Sequence, residues 1–266
     1  MQSSLIIGYI LAVFVGITLG LIGSGGSILS VPILVYVMAV EPVLATAYSL
    51  FVVGTTALIG GIQKAKQKLV DFKKVVLFGL PTILAVFLTR KLIVPTIPDI
   101  IFSASWFTLS KSVLIMVVFA LVMIAASVRM IKPVSEKIGD GDTVVNYISI
   151  FFQGLFIGLV AGFVGAGGGF LIIPALLFMA KTPMKIAVGT SLFIVSVQSL
   201  IGFLGDIRPE QNLDWNLMLT FSAFSILGVF IGGFLSKKIE GAKLKKAFGW
   251  FVLAMGIYII IKELLI

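Results

Sequence analysis

The chain has no cysteine and no histidine. That excludes disulfides, thiolate chemistry, His-ligated metals and histidine proton relays. Charge is scarce as well. Asp, Glu, Lys and Arg make up 12% of the 266 residues, hydrophobic types make up 59%, and the mean hydropathy is +1.20. A soluble domain carries roughly 25% charged residues, so this chain cannot supply the polar surface of a soluble globule. The shortage is organised: residues 1–40, 42–63, 143–180, 186–205 and 215–236 contain none of the four charged types. Such runs are long enough to cross a hydrocarbon core of about 30 Å. The expectation is an all-α polytopic membrane protein whose constant partner is the lipid bilayer.

The formal charge of +9 does not read as a nucleic-acid surface. The basic residues sit in short loops between apolar runs instead of gathering on one solvated face, and that distribution encodes membrane orientation. No Lys or Arg precedes the apolar residues 5–22, no small-x-small cleavage pattern follows them, and the run continues to residue 40, so it reads as mature protein. The longest polar stretch, Ile131 to Thr143, contains Pro133, Gly139 and Gly141 and reads as a linker. Trp106, Trp215 and Trp250 fall near span ends, where aromatic belts form.

What is abundant is glycine, and it recurs. At a spacing of 142, GITLGLIGSGGSILSVPIL from Gly16 aligns with GLVAGFVGAGGGFLIIPAL from Gly158, and ATAYSLFVV from Ala45 aligns with AVGTSLFIV from Ala187. With one residue added, Asp71-Phe72 meets Asp214-Trp215 and ILAVFL from Ile83 meets ILGVFI from Ile226. The chain reads as two copies of one unit: a first transmembrane repeat over 1–131, a cytoplasmic linker over 132–143 and a second repeat over 144–266. Each unit holds a Gly-interrupted stretch (5–38; 147–180) followed by three ordinary spans. As one helix, 34 residues would reach about 50 Å, beyond the bilayer core, so each stretch is expected to be two shorter helices meeting at an irregular Gly loop.

Loop charge suggests that the two units are inverted. Lys64, Lys66, Lys68, Lys73 and Lys74 crowd the loop 63–74, whereas its counterpart carries Asp206, Glu210 and Asp214 against Arg208. The next loop reverses the comparison, with Lys237, Lys238, Lys243, Lys245 and Lys246 set against Arg90, Lys91, Asp99 and Lys111. Inversion follows if each broken stretch enters and leaves by one side and the other three parts cross once, which leaves both termini outside. The alternative is four single crossings per half in parallel, with the loop 237–246 on the far side.

Non-helical backbone at bilayer depth must be buried in protein or line a wet cavity, and paired broken helices are a recurring transporter device. The candidate substrate site is therefore Gly23, Ser24, Gly25, Gly26 and Ser27 with Gly165, Ala166, Gly167, Gly168 and Gly169. Ser49, Thr190, Ser191 and Gln198 on the following spans could add neutral donors. No carboxylate lies in 1–40 or 143–180, so the amide donors and dipole of a half-helix start favour an anion, drawn by Lys181 and Lys185 at the mouth. Packing is the simpler reading of the pairs Gly16 and Gly20, Gly158 and Gly162, and Gly228 and Gly232. For Ser49, Thr190 and Ser191, a bond to a carbonyl of their own helix is as good a reading as ligand contact. A nucleotide-loop reading fails, since neither copy has the GxxxxGK[ST] pattern or a strand-turn-helix context. No catalytic constellation, metal site or cofactor is expected, with the acids Asp71, Asp206, Glu210 and Asp214 confined to span ends.

The duplicated GxxGxGG[SG] with its trailing Pro, the ATAxSLF and AVGTSLF segments and the Asp-aromatic pairs resemble the TauE/SafE family of bacterial membrane proteins over nearly the whole chain. The resemblance implies a multi-pass protein of the bacterial cytoplasmic membrane that exports sulfite or organosulfonates. The family's Gly-rich motifs fall on Gly23 to Ser27 and Gly165 to Gly169. The first half has Thr46-Ala47-Tyr48 where the second has the more typical Val188-Gly189-Thr190. The reading is a secondary transporter with a small anionic substrate, working by alternating access, either alone or as a homo-oligomer. An anion channel and a non-transporting membrane enzyme or assembly partner are the alternatives.

Overall fold

The computed structural model describes residues 2–104, 107–131, 147–165, 167–178, 182–207, 213–236 and 241–265. The linker 132–143 lies outside them, as do Trp106, Lys181, Arg208, Glu210, Lys237 and Lys238. The chain opens with helix α1 (Gln2–Ile22), a 3₁₀ segment (Gly23–Leu29), one turn α2 (Ser30–Pro32) and a π turn (Ile33–Val37). Helix α3 (Pro42–Lys66) follows, then α4 (Phe72–Leu88), which runs through a π turn (Thr89–Ile93) into α5 (Val94–Thr96). After strands β1 (Ile100–Ala104) and β2 (Phe107–Ser110) come α6 (Lys111–Ile131), α7 (Tyr147–Val164), α8 (Gly169–Phe178), α9 (Met184–Asp206), α10 (Trp215–Leu235) and α11 (Gly241–Leu265).

Local chemistry sets several of these boundaries. The Asp of each Asp-aromatic pair is an N-cap: the carboxylates of Asp71 and Asp214 accept from the backbone N–H of Lys74 (3.2 Å) and Leu217 (2.9 Å). An acceptor there satisfies an otherwise orphaned amide. Glu41 caps α3 in the same way, accepting from Leu44 N at 3.0 Å, with Pro42 in the first turn.

Among the described residues six apolar helical stretches are long enough to cross a membrane, the first being Leu5–Val37 with 33 residues. That run is not one straight crossing. The chain doubles back so that the Met38 side chain lies against Gly8, where a Cβ would come within 2.6 Å of it. The reversal occurs at Gly23, whose φ of 78° lies in the left-handed region that side-chain-bearing residues avoid. The second stretch folds back too, at Gly165, Gly167 and Gly168, with φ of 75°, 66° and 59°, bringing Gly168 onto Ala161 of α7.

An all-α expectation needs one amendment, a two-stranded antiparallel hairpin pairing Phe102 with Leu109 and Ser103 with Thr108. The segments Ile100-Ile101-Phe102 and Phe107-Thr108-Leu109 are rich in β-branched and aromatic types and too short for a helical span. Lys111 N closes the hairpin base onto Asp99 O at 2.9 Å.

The helices pack in four principal pairs: α1 on α10, α7 on α4, α3 on α9 and α6 on α11. In the first pair Gly16 meets Ser225 and Gly228 while Gly20 meets Val229, Gly232 and Gly233, so the helices run parallel. In the second, Gly158 meets Thr82 and Ala85 while Gly162 meets Val86 and Thr89, again parallel. The other two pairs are antiparallel, since Gly54 meets Leu200 and Gly61 meets Phe193, while Gly249 meets Ile131 and Gly256 meets Ala120. Close backbone approach through small residues is how helices associate where lipid supplies no hydrophobic drive. Side chains such as Leu219, Leu227, Phe230 and Phe234 of α10 point outward, exposed, as a lipid-facing surface allows. Trp215 and Trp250 are also exposed.

Candidate functional site

The two Gly breaks touch. Ser24 Oγ donates to Gly169 O at 3.0 Å, and a Cβ on Gly169 would fall 2.2 Å from Ser24 Cβ and 2.3 Å from Ser24 O. Gly167 is wedged between Val53 of α3 and Val195 and Ser199 of α9. The turn residue of each break lies against the early part of the other half's second helix: Gly23 against Val188, and Gly165 against Thr46. Gly23, Ser24, Gly25, Gly26, Ser27, Gly165, Gly167, Gly168 and Gly169 are all buried, and Ala166 lies outside the described residues. The sequence-derived loops are thus brought together.

Their hydroxyls are not the free donors that an anion would need. Ser27 Oγ donates to Ser24 O and Ser30 Oγ to Ser27 O, each at 2.8 Å. Ser49 Oγ pairs with Ser30 Oγ. Ser191 Oγ donates back to Val188 O at 2.9 Å, which is the helix-internal reading. Thr190 Oγ1 accepts from Asp71 N at 3.0 Å and so fastens the loop 67–71 onto α9. Gln198 Nε2 donates to Gly167 O, while its Oε1 is buried with no partner among the described residues. The side chains of Ser24, Ser27, Ser49 and Ser191 therefore hold the breaks and helices in place. Among the described residues, the buried hydroxyls without a partner are instead Ser199 Oγ, beside Gly167, and Thr56 Oγ1.

Arg90 was not expected in the site. Grouped by sequence with Lys91, Asp99 and Lys111, it reads as a loop charge. The π turn Thr89–Ile93 carries α4 onward and turns Arg90 inward at 0% exposure, while Lys91 stays exposed over the Phe87 ring, 5.4 Å from its centroid. Arg90 Nη1 donates to Thr46 Oγ1 at 3.0 Å and lies 3.4 Å from Asp206 Oδ2. Nε and Nη2 have no hydrogen-bond partner among the described residues, and Nη2 lies 2.6 Å from where a Cβ on Gly165 would stand. Asp206, read from the sequence as an acid at a span end, is 7% exposed, and its pairing with Arg90 offsets a charge that would be costly alone in a low dielectric. A signal was available: Arg90 falls inside the 25-residue apolar stretch Phe72–Thr96, and ionisable groups within spans are rare and usually functional.

At the opposite end of the bundle Lys64, 7% exposed, donates to Ser236 Oγ at 3.2 Å, and Lys74 Nζ donates to Thr182 Oγ1 at 2.8 Å. Lys185 is exposed there. No group of three or more His, Cys, Asp or Glu suited to a metal occurs among the described residues.

The family model for the sulfite exporter TauE/SafE matches residues 8–261. A probable membrane transporter protein of Xylella fastidiosa is 31% identical over 252 residues, 92% of this chain and 91% of the relative. The probable membrane transporter protein YunE of Bacillus subtilis is 25% identical over 257 residues, 89% of this chain and 90% of the relative. A probable membrane transporter protein of Methanocaldococcus jannaschii matches a shorter part, 35% over 115 residues, 41% of this chain and 43% of the relative. No solved structure matches the chain. With a breached helix in each half meeting at a buried centre and this likeness over nearly its full length, the chain belongs to the TauE/SafE family and is a multi-pass membrane transporter.

Proposed function

We propose that the protein is a secondary transporter that exports small sulfur oxyanions, sulfite or an organosulfonate, bound between the two Gly breaks and released by alternating access. The observation that carries this is the contact of the breaks themselves, Ser24 against Gly169, with a buried guanidinium beside Gly165. A cation or proton would find no carboxylate in the broken stretches 1–40 and 143–180. The sulfur chemistry comes from the family, whose model is that of a sulfite exporter.

The helix pairs support two inverted repeats. If the halves are related by a two-fold axis, α1·α10 and α7·α4 are the same contact made twice, and α3·α9 and α6·α11 pair each element with its own copy. An axis along the membrane normal would make those self-pairs parallel; an axis in the membrane plane makes them antiparallel, as they are. Inverted repeats offer two equivalent states by exchange of roles between the halves, which is the basis of rocking access around a fixed site. The domain division at 132–143 follows from the same reading, with the linker cytoplasmic.

Counterflow in proteoliposomes tests it. Radiolabelled sulfite should accumulate transiently and saturably in vesicles loaded with unlabelled sulfite. Gly25→Val should abolish that flux without unfolding the protein, since the Gly25 Cβ position has 3.4 Å to its nearest neighbour. Flux that never saturates and shows no counterflow would identify a channel. Sulfite flux that persists unchanged in Gly25→Val and in Gly167→Val would remove the site from the breaks.

A further inference from the structure

Arg90 has two edges and the fold uses them differently. Nη1, on the edge away from Nε, is engaged by Thr46 Oγ1 at 3.0 Å and faces Asp206 Oδ2 at 3.4 Å. Nε and Nη2 form the other, side-on edge, and both are buried with no hydrogen-bond partner among the described residues. In a guanidinium those two N–H groups point in parallel, a fork that matches two oxygens on one atom. Nη2 lies against Gly165, where a Cβ would fall 2.6 Å from it.

We propose that the side-on edge of Arg90 is the charged anchor of the substrate, taking two oxygens of a sulfonate or sulfite group, with Asp206 and Thr46 holding the guanidinium's other edge to fix its plane. This deepens the proposed function and rests on it. An unpartnered buried guanidinium edge is costly, so a site that leaves one open favours a ligand able to satisfy both N–H groups together. A monatomic anion reaches them only as a point charge. Asp206 offsets the charge of Arg90 at 3.4 Å, and glycine at 165 spares Nη2 a Cβ that would fall 2.6 Å away.

The test is thermal stabilisation of the detergent-purified full chain by sulfite, sulfoacetate and chloride. Wild type should be stabilised saturably by sulfite or sulfoacetate and not by chloride at the same concentration. Arg90→Lys keeps the charge opposite Asp206 but loses the fork, and should weaken the apparent affinity by about tenfold or more while leaving the melting temperature without ligand close to wild type. Should Arg90→Lys fold poorly, the neutral double variant Arg90→Gln/Asp206→Asn removes both charges and should lose the sulfur-anion response altogether. Unchanged affinity in either variant overturns the assignment and leaves the transporter reading intact. A wild-type protein with no response to any oxyanion overturns both.

Discussion

At the scale of single residues, glycines that look alike in sequence carry different loads. Gly165 combines a φ of 75° with a Cβ position 2.3 Å from Thr46 Cβ and 2.6 Å from Arg90 Nη2, whereas the Gly25 position has nothing nearer than Ile22 at 3.4 Å. Gly165→Ala should therefore cost about 3 kcal/mol or more through backbone strain and overpacking, and Gly25→Ala under about 1 kcal/mol, compared by the melting temperatures of the purified proteins. Equal losses would contradict the geometry of the breaks. The sequence marked both motifs without separating their members, because the room at each glycine is set by tertiary neighbours, such as Thr46 at Gly165 and Val188 at Gly23, that lie far away along the chain. The serines show the same limit: Ser24 and Ser27 read as anion donors, but their protons go to carbonyls.

At the scale of elements, the small-residue spacings were legible and their partners were not. Gly16 and Gly228 bring α1 and α10 so near that a Cβ on Gly16 would stand 1.8 Å from Ser225 O. Gly16→Leu and Gly228→Leu should each lower folded yield sharply, while Gly79→Leu, whose Cβ position has only Ile83 at 3.9 Å, should be tolerated. Size-exclusion profiles in detergent read the difference. The caps are a milder case. Asp71→Ala removes the acceptor of Lys74 N and the 3.4 Å contact with Lys74 Nζ, and should destabilise α4 by about 1 kcal/mol, seen as a small fall in melting temperature with transport retained. The paired Asp-aromatic signature is thus a helix start written twice.

At the scale of the whole molecule, absence of cysteine becomes an instrument, since any introduced thiol is unique. In the inverted arrangement exposed Lys68 and Lys246 share one side of the membrane, and exposed Ser103 in the hairpin lies on the other. Lys68→Cys and Lys246→Cys should be shielded from an impermeant maleimide in intact cells and labelled in inverted vesicles, and Ser103→Cys should behave oppositely. Labelling of Lys68→Cys and Lys246→Cys from opposite sides would restore the parallel alternative. The contacts at the two ends of the bundle are distinct: Lys64 with Ser236 and Lys74 with Thr182 at one, Arg90 with Asp206 and Tyr36 with Glu263 at the other.

The membrane, the helical spans, the doubled motif and the places where helices break all follow from composition and periodicity, because hydrocarbon demands apolar runs of a fixed length and glycine weakens a helix wherever it clusters. Tertiary structure alone decided that the two breaks meet, that their hydroxyls are already engaged, and that Arg90 belongs inside with Asp206. The reason is one of range. Span and break are written in neighbouring residues, whereas a charge at the end of an apolar run reads alike for a loop and for a buried anchor until a helix from the other half of the chain closes over it.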